Sequence, residues 1–243
     1  MTTTHNWNEI SAEIRSQLGT DIPPIAITFH DEIPSSPAAF DDPMPAPTAD
    51  GRTGRVPAGC VFWMRSTSTG FTTVPEDHGN CSVGSMTHGM KTMEEVAGNA
   101  DVAALLESGW VTEDIVPQIP VVSRKPAAIT YEPLSEATFD PDVVLLRLSG
   151  RQLMVLMDAI PELRVEGKPQ CHIVAIAKEQ GEIAASVGCQ LSRVRTGMSN
   201  SEMTCAVPGN KINSLIERIA NTAVADHTVA GYAAEDARRF TTA

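Results

Sequence analysis

The residues of this chain best suited to chemistry are its cysteines, Cys60, Cys81, Cys171, Cys189 and Cys205. As thiolates they are soft nucleophiles and soft metal ligands, the donor type that selects iron–sulfur clusters or zinc. Their odd number argues against a disulfide framework, although the count alone is also what buried small hydrophobes would give. No C-x-x-C, ferredoxin cysteine run, H-E-x-x-H, P-loop or G-x-G-x-x-G is present, so any site is assembled by the fold from distant segments, and a nucleotide-dependent enzyme is disfavoured.

Local pattern suggests two cysteine pairs. Residues 171–178 and 182–187 read as a hairpin turning about Glu179-Gln180-Gly181, which sets Cys171 and Cys189 opposite each other at its open end. Residues 60–64 and 70–74 read as a second hairpin, bracketed by Cys60 and by Cys81 in the glycine-flanked turn Gly79-Asn80-Cys81-Ser82-Val83-Gly84. A helix opening near Cys81 would favour its thiolate through free amides and the helix dipole. His78 and His88 flank Cys81 and allow a Cys–His nucleophilic pair, but a structural histidine is the simpler reading of both. On a strand, His172 would point away from the face that Cys171 serves. Trp63, Trp110 and the methionines, Met154 and Met157 among them, read as core.

The elements that must hold these residues in place follow from periodicity. A helix is expected over 10–18, from Ile10, Ile14 and Leu18 at four-residue steps, and a strand over 25–29. A long loop with six prolines runs over 33–57. Strands are expected at 119–122, 127–131, 143–148 and 203–207, with helices at 100–110, 150–160 and 210–224. This alternation predicts an α/β fold, with α+β as its neighbour: a mixed β-sheet with flanking helices. It spans 1–243 as a single domain or two intimately packed lobes.

Thirty acidic against 18 basic side chains give a net charge of −12, which opposes binding to a phosphate backbone. No run approaches the roughly 18 apolar residues of a membrane span, and the opening residues carry no basic or apolar leader pattern. The expectation is a cytoplasmic protein with a small-molecule substrate or ligand, no nucleic-acid or membrane partner, and a homo-oligomer left open.

Several stretches resemble the bacterial and archaeal family known as domain of unknown function 169. They are Pro23-Pro24-Ile25-Ala26, Cys60, Cys81 with Gly84, residues 150–156, Cys171, Ser186-Val187-Gly188-Cys189 with Arg193 and Gly197, and Glu202-Met203 through Val207-Pro208-Gly209. The resemblance implies that Cys60, Cys81, Cys171 and Cys189 are recurrent family cysteines and that Cys205 is not. Where family members often carry lysine this chain has Thr28, and its proline-rich loop looks like an insertion. The family brings no activity with it. Three or four of Cys60, Cys81, Cys171 and Cys189 are therefore expected as ligands of an iron–sulfur cluster, [4Fe–4S], with Cys81 and Arg193 as candidate catalytic residues. Three ligands would leave one iron open to a substrate, as in a non-redox lyase, desulfidase or dehalogenase, and Arg193 or Arg195 would clasp an anionic group. Four ligands would suit electron transfer. A metal-free Cys81 nucleophile and a non-catalytic binding or sensing module are the competing expectations.

Overall fold

The computed structural model describes residues 6–41, 59–167 and 169–241, without the side chains of Val194, Arg195 and Asp226. Most of the proline-rich loop, residues 42–58, lies outside the described residues. Helix α1 (Trp7–Leu18) starts where the Asn6 side chain accepts the Glu9 N–H, and it stops at Gly19 in the left-handed conformation. Strand β1 (Ile25–His30) follows. Then come α2 (Cys60–Arg65), β2 (Phe71–Thr73), α3 (Ser82–Thr87), α4 (Met93–Val96) and α5 (Ala100–Glu107). The second half adds β3 (Ala128–Pro133), β4 (Val143–Leu148), α6 (Gly150–Ala159), β5 (Arg164–Glu166), α7 (His172–Ala175), β6 (Ala184–Ser186), α8 (Gln190–Thr196), β7 (Met203–Pro208) and α9 (Ile212–Thr241).

The strands form one seven-stranded mixed sheet in the order β2-β3-β1-β4-β7-β6-β5, in which β5 and β6 are parallel and all other neighbours antiparallel. This is the expected α/β fold, in one compact domain. Alternation along the strands separates two cores. Ile25, Ile27, Val143, Leu145, Ala184 and Ala206 face the side covered by α2 and α7. Ala26, Val144, Leu146, Ala185, Cys205 and Val207 face the side covered by α1, α6 and α9. Cys205 is thereby on the opposite face from Cys171, against Leu146 and Ala185.

Four expectations are corrected. Residues 60–65 are helix, and β2 pairs with β3 instead of with them. The run Cys-Val-Phe-Trp-Met buries Phe62 and Trp63 beside Phe40, Phe71 and Tyr131, and a short apolar run of this kind has no period to separate helix from strand. Residues 172–180 are also helical, α7 continuing as a π-turn over Ile176–Gln180 to Gly181 in the left-handed conformation, so the second hairpin does not exist. Ile173, Val174, Ile176 and Ala177 are all buried, which erases the amphipathic signal. Among the described residues, 119–122 pair with no strand; the Val122 N–H is bound instead by the Thr87 carbonyl at 3.0 Å. Among the methionines, Met154 and Met157 lie exposed on α6.

A candidate four-cysteine site

Each of the four cysteines stands at the N-terminal end of a helix. Gly59, at φ 67°, turns the chain into α2 and makes Cys60 its first residue. Cys81 is the N-cap of α3, and its sulfur accepts the Gly84 N–H at 3.4 Å. That end of α3 is fixed by Asp101, whose carboxylate accepts both the N–H (2.9 Å) and the hydroxyl (2.7 Å) of Ser82. Cys171 and Cys189 are the N-caps of α7 and α8. All four line one small cavity of about 30 Å³, together with Val83, Trp110, Gln170 and Ser192.

Two of the walls are built by groups of little chemical prominence. Gln170 is buried, and its Nε2 donates to Cys60 Sγ at 3.1 Å and to Met198 Sδ at 3.5 Å. Arg193 holds the Gly188-Cys189 corner: its guanidinium donates to the carbonyls of Val187 (3.0 Å), Cys189 (3.3 Å), Asn200 (3.4 Å) and Glu202. The Glu202 carboxylate is in turn gripped at both oxygens by Arg147 of β4, at 2.5 and 2.9 Å. Arg193 does not line the cavity, and four of its five N–H directions serve main-chain carbonyls, which makes it a brace for the Cys189 loop. The Arg195 side chain lies outside the described residues.

Burial dominates the electrostatics. It pushes the Cys60 thiol from an ordinary 9.0 up to about 12, and neighbouring Cys81 and Cys189 raise it further, while the Gln170 hydrogen bond opposes the shift. Burial also lifts Cys171 well above the usual thiol range, seconded by Cys81, Cys60 and Cys189 and opposed by a hydrogen bond from Thr87. The mutual effects place the four sulfurs within electrostatic reach of one another. Cys205, raised to about 12 by burial alone, stands outside this set.

The histidines belong elsewhere. His78 bonds Thr73 Oγ1 at 3.0 Å through Nε2, and His88 Nδ1 faces the Gly84 carbonyl at 2.9 Å. Burial lowers the pKa of both, His88 to about 4, so both rings are neutral at pH 7. Neither lines the cysteine cavity. His172 turns toward Glu166, 3.4 Å from its Oε2.

The residues that sequence reasoning passed over are Gln170, whose only pointer is its place beside Cys171, and Trp110, read as core yet lining the cavity. Among the described residues no group of three or more His, Cys, Asp or Glu side chains is arranged to hold one metal ion. A tetrahedral ion needs every thiolate about 2.3 Å from a single point, whereas a cluster takes its cysteines on separate irons. In ligand type, four thiols with no carboxylate or imidazole beside them suit a cluster; in volume the cavity has room for about one water, so the lining must yield to admit a cluster.

These features define an α/β protein with a four-thiol pocket on one face of a mixed sheet. The model of the family domain of unknown function 169, described as uncharacterised ArCR, matches residues 13–218, and the chain belongs to that family. Comparison with curated proteins and with solved structures gives no match. No helix among the described residues is long and apolar enough to cross a membrane.

Proposed function

We propose that the protein binds an iron–sulfur cluster, [4Fe–4S], through Cys60, Cys81, Cys171 and Cys189. The observation that carries this reading is that four thiols from four separate segments line one cavity with no carboxylate or imidazole among them. Bound there, a cluster with three cysteine ligands supplies a Lewis-acidic iron for removing water, sulfide or halide from a small molecule, and one with four supplies electron transfer. The chain's own part is to hold and shield. Gly59 and the Asp101–Ser82 contacts fix α2 and α3, the Arg193 brace fixes Cys189, and Val83, Trp110 and Leu191 keep bulk water from the sulfurs.

Anaerobic purification followed by iron and acid-labile sulfide analysis tests the proposal. Brown protein carrying both elements, with Cys→Ser at any ligand lowering them and Cys205→Ser leaving them unchanged, is the expected result. Colourless protein without iron or sulfide, even after anaerobic reconstitution, refutes it. A second reading, a metal-free Cys81 nucleophile, draws on the half-buried Cys81 thiol and its Gly84 N–H bond. It predicts selective alkylation of Cys81 at neutral pH in iron-free protein.

A further inference from the structure

We infer that Gln170 is the positioning and tuning residue of the pocket, the group whose N–H bond sets the electron density on Cys60 sulfur. The inference rests on the cluster reading of the four cysteines.

Three observations converge on it. The Gln170 side chain is 1% exposed, so its hydrogen bonds are made in a low-dielectric setting where each counts for more than at the surface. Its Nε2 is shared between two sulfurs from different segments, Cys60 at the start of α2 and Met198 just beyond α8, and thereby ties the two sides of the cavity together. Its Oε1 is buried with no hydrogen-bond partner among the described residues, so within them the carboxamide is held by what its nitrogen does. A buried amide with one end unpaired among the described residues and the other on a ligand sulfur acts chiefly on that sulfur. Packing alone would be served as well by methionine or leucine.

The physical consequence has a definite sign. An N–H aimed at a thiolate stabilises extra negative charge on it, and the reduced cluster is the more negative form. The bond therefore raises the reduction potential and strengthens retention of the ligand. Gln170→Met keeps length and volume while deleting the donor. Gln170→Glu keeps the shape and, when ionised, replaces the donor with a negative charge.

The experiment measures the reduction potential of anaerobically reconstituted protein and the rate at which a chelator strips its iron, with the melting temperature as control. The expected order of potentials is wild type highest, Gln170→Met lower and Gln170→Glu lowest, with iron loss accelerating in the same order. Equal potentials and equal loss rates in folded variants overturn the inference, as does a change that follows melting temperature alone. If the wild type takes up no cluster, the cluster reading fails, and a second measurement still decides the role of Gln170. In iron-free protein, alkylation of Cys60 at a fixed alkaline pH should slow about threefold in Gln170→Met, because losing one hydrogen bond to the sulfur cuts the thiolate fraction about tenfold while raising its nucleophilicity about threefold. An unchanged rate refutes it.

Discussion

Replacing Gly188 by alanine tests whether the Cys189 corner is held as described. Gly188 sits at φ 121°, and a methyl group there would lie 1.9 Å from Arg193 Nη1 and 2.4 Å from its Cζ. The end of an arginine side chain ordinarily swings away at little cost. Here the guanidinium is pinned by the carbonyls of Val187, Cys189, Asn200 and Glu202, so moving it breaks those bonds. The backbone strain contributes roughly 1–2 kcal/mol. The two part-buried hydrogen bonds, to Cys189 and Glu202, add about 1 kcal/mol each, for a total of about 3–4 kcal/mol. Arg193→Met alone loses only the hydrogen bonds, about 2 kcal/mol. In the double variant the clash has no partner and the bonds are lost once, so it should be no less stable than Gly188→Ala. Simple addition would instead give about 5–6 kcal/mol from the same terms. Urea unfolding of the iron-free protein and its three variants reads these differences directly. Additive losses, or a Gly188→Ala protein as stable as wild type, would show that Arg193 is not the brace.

Four more outcomes follow from the same structure. His88 is neutral when folded, with its pKa lowered from 6.5 to about 4, so its contribution is complete above 6.5 and is lost as pH falls through about 4. The magnitude is on the order of 3 kcal/mol, and His88→Gln should flatten the acid limb of a stability profile measured by urea unfolding. Cys205→Val, on the far face of the sheet, should change stability by less than about 1.5 kcal/mol and leave iron content untouched. Phe62→Ala removes a fully buried ring packed on Phe40 and Tyr131 and should cost about 3–5 kcal/mol in the same unfolding assay. Truncation after Val224 deletes the end of α9, whose described side chains are exposed except for half-buried Asp236, and should shift the unfolding free energy by no more than about 0.5 kcal/mol.

Much of the frame was legible in the sequence, for identifiable reasons. Strands β1, β3, β4 and β7 are β-branched or alternating runs, and α1 and α6 carry amphipathic stripes with Asn6 and Ser149 as caps. What failed were α2 and α7, both short and embedded in apolar surroundings, where no face is left polar to set a helical period. The local signals that could have corrected them were Gly59 before the first and Gly181 after the second, each at positive φ. Among site residues, the five cysteines stood out by type, the family resemblance separated Cys60, Cys81, Cys171 and Cys189 from Cys205, and those four do line one cavity. The reason given for pairing Cys171 with Cys189 was wrong, because no hairpin joins them. They meet because the N-terminal ends of α7 and α8 border the same cavity. Gln170 went unnoticed and Trp110 was read as core because an amide and an indole have no reactive signature outside their three-dimensional setting.

The raised thiol pKa values bear on the cluster reading itself. Cys60 and Cys171 are held protonated at neutral pH by burial and by their neighbours' sulfurs, although each stands at the start of a helix, where amides favour a thiolate. Burial outweighs those amides in the metal-free protein. A cationic core at the centre would reverse the balance, offsetting the desolvation and the sulfur–sulfur repulsion together, and binding would then release protons. With ordinary ligand thiols, retention of a cluster improves with pH and levels off above about 9. With the Cys60 thiol at about 12, it should go on improving through pH 10. Chelator competition at pH 8, 9 and 10 separates the two cases. A plateau at 9 would mean that Cys60 is not a ligand, or that its thiol is not held up in the folded chain.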